Sequence, residues 1–256
     1  MIWKFEGGIM NSWKPVLASA IVSIGIMISG LFLSYGYIKG NIHERYVTVK
    51  GVSEKNVSAD IALWPIKFVS TDNDLTKARA ILKESEKKLF EFLNNHSISN
   101  NMISIKNIMV KDKMADAYRT DTPKSRYIIT ETVLVRTNNP KIVVTASQDI
   151  GSLIDSGIVL SSSGEWNNGP TYLFSGLNKI KPEMIADATK KAREAAEKFA
   201  SDSNSILNGI RRANQGVFVI LPRDPANGIS EESQPEKKVR VVSTIEYLLK
   251  SKDQEN

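Results

Sequence analysis

Read for where its apolar side chains recur, the chain separates into one long unbroken run near the N-terminus and a remainder of short alternating and helical patterns. Val16 to Tyr37 holds no charged residue between Lys14 and Lys39. At roughly 1.5 Å of rise per residue the run covers about 33 Å, enough for a hydrocarbon core of about 30 Å, whereas a cleavable signal carries an apolar stretch of about 7–15 residues. The pattern predicts a transmembrane helix over residues 16–38 behind a short cytoplasmic tail at 1–15, an anchor rather than a cleaved signal. A buried helix of a soluble protein would show a polar stripe, which Ser19, Ser23, Ser29 and Ser34 do not supply.

The remainder alternates between two periods. YVTVKG from Tyr46 predicts a short strand closed by Gly51, and residues 56–69 a longer strand. In that strand the apolar positions move from odd (Val57, Ala59, Ile61, Leu63) to even (Ile66, Phe68) at Trp64-Pro65. Proline cannot donate to a ladder, so Pro65 predicts an edge or a bulge, and one extra residue would keep both apolar sets on one core. Trp64 therefore reads as packing rather than as a binding aromatic. Asp72 or Asn73 is the expected cap of a helix carrying Leu75, Ala78, Leu82, Leu89 and Leu93, which His96 ends as a partner for the helix dipole.

Further on, 102–110 and 126–136 predict paired strands, and 141–155 a helix weakened by Gly151 and ended by Gly157. Short strands at 158–161 and 171–174 flank SSGEWNNGP, whose Trp166 is expected to pack on its own sheet. Pro182 is expected to open the most regular helix, with Met184, Ile185, Ala188, Ala192, Ala195, Ala196 and Phe199 as its apolar stripe. A strand at 211–221, a loop at 222–235 and a strand at 238–249, apolar at Val239, Val241, Ile245, Tyr247 and Leu249, close the pattern.

Composition narrows the chemistry. About 215 residues follow the apolar run, enough for one large α+β domain or two small lobes. With no cysteine, disulfides and thiolate metal sites are excluded. The net charge of +6 is spread in pairs such as Lys87-Lys88 and Arg211-Arg212 with acidic residues nearby, a solvated mixed surface rather than a nucleic-acid groove. Lys4 and Lys14 before the run balance Lys39, Arg45 and Lys50 after it, so charge alone does not orient the helix. A long C-terminal domain can be translocated regardless of its charge, which makes a domain outside the cytoplasm the expectation. Met10 offers a second possible start.

No residue constellation names a reaction. GxSxG and HExxH are absent, and the two histidines, His43 and His96, lie far apart in sequence. Asp112, Asp116 and Asp121 lack the alternate-ligand spacing and glycine of a calcium loop. The expectation is no catalytic, cofactor-binding or metal residue, with a carboxylate-only hydrolase using Asp60 or Glu131 as the alternative.

Three stretches in order, YVTVKGVSEKNVSADIALW, DATKKAREAAEKFASDSNSILNGIRRA and KKVRVVSTIEYLL, resemble the SIMPL-domain family of bacterial envelope proteins over about residues 45–250. The resemblance implies an α+β domain of mixed or antiparallel sheets with packed helices, followed by a polar tail at 251–256. It also implies a place in the periplasm, here tethered to the inner membrane by a single pass, and assembly into large homo-oligomers. A loose link to stress tolerance and no established catalytic residues complete the expectation: a non-enzymatic binding or scaffold module with a possible envelope protein partner.

Overall fold

A computed structural model of the chain describes residues 13–40, 45–115, 124–161 and 169–252. Helix α1 (Trp13–Gly40) contains the apolar run, and its Val16–Tyr37 stretch is long and apolar enough to cross a membrane, with none of it buried against the rest of the chain. The remainder forms two antiparallel sheets, each with its own helices.

The first sheet is built from both ends of the domain. Strand β1 (Tyr46–Ser58) pairs along its whole length with the last strand, β9 (Glu236–Ser251), from Tyr46 opposite Leu248 to Ser58 opposite Glu236. On the other side of β9 lie β7 (Ser205–Gln215) and β8 (Val219–Pro222). Helix α5 (Leu177–Asp202) covers one face through Met184, Ala188, Ala192, Ala196 and Ala200. The odd positions Val239, Val241, Ile245 and Tyr247 meet it, as the alternation of β9 predicts.

The approach is close because the facing residues are small. A Cβ on Gly51 would stand 1.8 Å from the Ala188 carbonyl oxygen and 2.6 Å from the Ala192 nitrogen, both backbone atoms. Gly51 therefore does not close a strand; it lets β1 continue beneath the helix. Pro182 does not open α5 either, since the helix begins five residues earlier at Leu177 and absorbs the proline near its start. Ile185 and Ala195 are only half-buried, and Phe199 lies outside the stripe, 58% exposed. The strand expected at 211–221 is two strands: at Gly216 the N–H donates to Val242 O at 2.8 Å, and a Cβ there would stand 2.5 Å from the same oxygen.

The second sheet is inserted between β1 and α5. Its order is β3 (Ile103–Asp112), β4 (Tyr127–Thr137), β2 (Ile61–Asp72), with the short β5 (Val159–Leu160) and β6 (Thr171–Leu173) on the far side of β2. Helices α2 (Leu75–Asn95), α3 (Pro140–Gln148) and α4 (Gly151–Asp155) complete this lobe. Its core is made of large side chains, among them Trp64, Phe68, Leu82, Leu89, Phe92, Leu93 and Ile98.

Several expectations are corrected here. The expected long strand is divided at Ala59-Asp60, and β2 pairs with β4 without a register shift from Ala62 to Asp72. Ala62, Trp64, Ile66 and Phe68 are all buried, so the inward phase is even throughout and no bulge exists at Pro65. The edge half of the expectation holds: Pro65 falls between the residues that pair with β6 and those that pair with β5. The cap of α2 is Asp74, whose carboxylate accepts from Thr76 N at 2.7 Å and Lys77 N at 3.0 Å. Those two donors hold its pKa below the usual carboxylate value. The helix expected over 141–155 is broken in two at Asp149-Ile150, and Gly157 ends it with φ +89.

Candidate functional site

The outer edge of the inserted sheet is one of the least protected parts of the described domain. Among the described residues strand β3 pairs on the β4 side alone, and nearly all of it is exposed. Register places Ile105, Ile108 and Val110 opposite Val133, Glu131 and Ile129, on the face that carries α2, yet α2 packs over β2 and β4 and leaves these three exposed. Met109, 59% exposed, projects to the other face. A register shift at Lys106 bends the strand near its start. Along the flank of α2, reaching Asn100, runs a shallow depression lined by Lys83, Glu86, Lys87, Phe90, Glu91 and Asn94. Natural edge strands are usually short, charged or covered; β3 is ten residues long and exposes Ile105, Ile108, Met109 and Val110 alongside Lys106 and Lys111.

One residue in from that edge lies a buried carboxylate. Glu131 stands in register between Phe68 on β2 and Ile108 on β3, fully buried, with neither oxygen accepting a hydrogen bond. Its charged neighbours come from α2: Arg79 Nη1 at 3.7 Å from Oε2, and Glu86. Burial, reinforced by the like charge of Glu86 and opposed by Arg79, pushes its pKa above the usual carboxylate range. Acidic residues on strands usually face solvent, and Glu131 does the opposite. The signal for this was in the sequence: Ile129, Glu131, Val133 and Val135 share one parity of an alternating strand.

Asp60, the other carboxylate considered, is a junction residue. Its oxygens accept from Ser175 N and Ser175 Oγ, both at 2.8 Å, while its own N–H donates to Leu173 O at 2.9 Å. It ties the two lobes where the chain leaves one and re-enters the other, and it is not brought together with Glu131. Lys237, fully buried, performs a similar task, donating to the Glu231 carbonyl at 2.7 Å and pairing with its carboxylate. No motif marked it.

The remaining candidates resolve simply. Trp64 is a core residue. His96 caps the C-terminus of α2, its Nδ1 2.9 Å from Phe92 O and its Nε2 3.2 Å from Asp149 Oδ2. Asp112 is held by Arg126 at 2.9 Å. Asp116, Asp121, Trp166 and His43 lie outside the described residues. Among the described residues no group of three or more His, Asp or Glu is placed to hold a metal.

A sheet closed by the two ends of the domain under an alanine-faced helix, with a second α+β lobe inserted, defines the class of the molecule. Residues 47–247 match the family model described as SIMPL, protein of unknown function (DUF541), and the chain belongs to that family. No curated protein matches it.

Proposed function

We infer that this is a membrane-anchored SIMPL protein whose domain, held outside the cytoplasm in the periplasm, acts as a non-enzymatic binding or scaffold module and self-associates. The observation that carries this reading is the β3 edge, where Ile105, Ile108, Met109 and Val110 stand exposed on a strand that pairs, among the described residues, on the β4 side, an arrangement that suits strand addition. The unburied apolar stretch of α1 supports the anchor. A role in envelope stress tolerance rests on the family resemblance alone.

A specific observation favours a second reading. A carboxylic acid with a raised pKa beside a guanidinium, as Glu131 is beside Arg79, is the equipment of a general acid in a hydrolase. Against it, Glu131 is closed off from solvent and Asp60 is committed to Ser175.

Light scattering on the full chain in detergent tests the first reading. The wild type is expected to run as a multimer, and Ile108→Lys with Val110→Lys, both at exposed positions, to run as single chains with unchanged circular dichroism. A monomeric wild type, or a variant multimer of unaltered mass, would sink it.

A further inference from the structure

We propose that the end of the first sheet nearest α1 is itself a membrane contact, a basic and aromatic surface that rests on anionic phospholipid. This rests on the reading of α1 as an anchor and goes beyond it, because it gives the folded domain its own lipid-facing surface.

Chain length sets the position of that end. The apolar stretch stops at Tyr37 and β1 begins at Tyr46, so the start of β1 can be no more than about 25 Å from the end of the span, given the reach of three helical and six extended residues. Three other segments come to the same end. The last residues of β9 are there, with Tyr46 opposite Leu248 and Leu249 N donating to Arg45 O at 2.8 Å. So is the start of β7, where Ser205 stands opposite Ser251. The last turn of α5 leads into it through Ser203 and Asn204.

The side chains gathered there have the composition of a bilayer interface. Phe199 and Tyr46 are 58% and 49% exposed, and Arg211 lies over the Tyr46 ring at 4.4 Å. Arg45, Lys250 and Lys252, which register and sequence place at the same end of the sheet, are exposed. Two carboxylates at this end are already engaged, Asp202 with Lys198 at 3.3 Å and Glu246 with Arg211 at 3.2 Å. Aromatic rings settle at the headgroup level, and cations held within a Debye length of an anionic leaflet are drawn to it. Phe199 thereby acquires a reason to be large and apolar: the helical spacing assigns it to the core stripe, and the fold turns it out toward the end where lipid lies.

The chain has no cysteine, so single probes can be placed cleanly. Ser203→Cys, at the turn between α5 and β7, and Asn227→Cys, in the loop at the opposite end of the sheet, are each labelled with an environment-sensitive fluorophore in the full chain. The labelled proteins are reconstituted in phosphatidylcholine vesicles containing about 30% phosphatidylglycerol and a nitroxide headgroup lipid. Quenching at position 203 is expected to exceed that at 227 at least about twofold, and to fall by about half in pure phosphatidylcholine or in about 0.5 M salt, where the Debye length is only a few ångström. Lys250→Glu with Lys252→Glu should lower it similarly, and Phe199→Ser should shift the probe's emission to the red. Equal quenching at the two positions, or quenching at 203 indifferent to lipid charge and salt, overturns the contact. Vesicle flotation keeps the two readings apart: a chain that fails to float with the vesicles sinks the anchor and the contact together, whereas one that floats without excess quenching at 203 sinks the contact alone.

Discussion

The two sheets are packed by opposite means. In the first, α5 meets β1 through Gly51, Ala188 and Ala192, so backbone lies almost against backbone. In the inserted lobe, α2 meets its sheet through Leu82, Leu89, Phe92 and Leu93 set among Trp64, Ile66 and Phe68. Close-packed small residues leave no room for an added atom, while interdigitated large ones leave a cavity when an atom is taken away. At these contacts the first lobe should therefore be most sensitive to an added atom, and the second to a removed one.

The largest expected effect tests the phase of β2. Deleting Pro65 would put Ile66 and Phe68 on the face opposite Ala62 and Trp64, and displacing those two large side chains from the core costs on the order of 5 kcal/mol. Hydrogen exchange read by mass spectrometry should then show the inserted lobe unprotected. A deletion variant with a protected β4 would contradict the continuous even phase.

The next two expectations cross the comparison. Gly51→Ala must push α5 off β1, because the new Cβ meets backbone rather than a movable side chain. Its cost should exceed the about 3 kcal/mol that marks the upper end of ordinary overpacking. Leu89→Ala removes atoms from the other core and should cost about 3 kcal/mol, within the range of about 2–5 for buried leucines. Urea unfolding of the detergent-solubilised chain measures both. If Gly51→Ala proved the milder of the two, the claim of backbone contact would fall.

The smallest effect concerns Glu131. Its folded pKa is raised, so its contribution to stability is fully present below its unfolded value and is lost as pH rises through the folded one. The wild type should thus weaken from acid toward neutral pH at this site. Glu131→Gln, which keeps the shape without the charge, should flatten that slope and stabilise the domain by about 1–3 kcal/mol above the folded pKa, by relieving a buried charge that accepts no hydrogen bond. Melting curves across pH report it, and an unchanged slope would mean that Arg79 already satisfies the carboxylate.

What the sequence disclosed follows from the same contrast. Strand β9 was readable because one of its faces is buried under α5, leaving Val239, Val241, Ile245 and Tyr247 in clean alternation. Strand β2 misled because its outer face is only partly exposed, so Ile61 and Leu63 imitate an inward set. The pairing of β1 with β9 joins segments from opposite ends of the domain, and no local period records such a contact. The division into two lobes was open in length alone. Helix α5 was legible except for its start, which lies five residues before Pro182, and Phe199 fits its apolar period by identity and spacing while the fold exposes it. The apolar β3 edge was legible as a strand and illegible as an edge, because its exposure depends on where α2 stops.

Strand β1 also has a mechanical meaning. It leaves the anchor at one end and enters the inserted lobe at the other, a single extended stretch of 13 residues and about 44 Å at roughly 3.4 Å per residue. Tension between the bilayer and anything grasped by the β3 edge would run along the covalent backbone of this one strand rather than through the hydrogen bonds that join it to β9. The first sheet then works as a splint around a tensioned cord, keeping β1 straight while bearing little of the load itself.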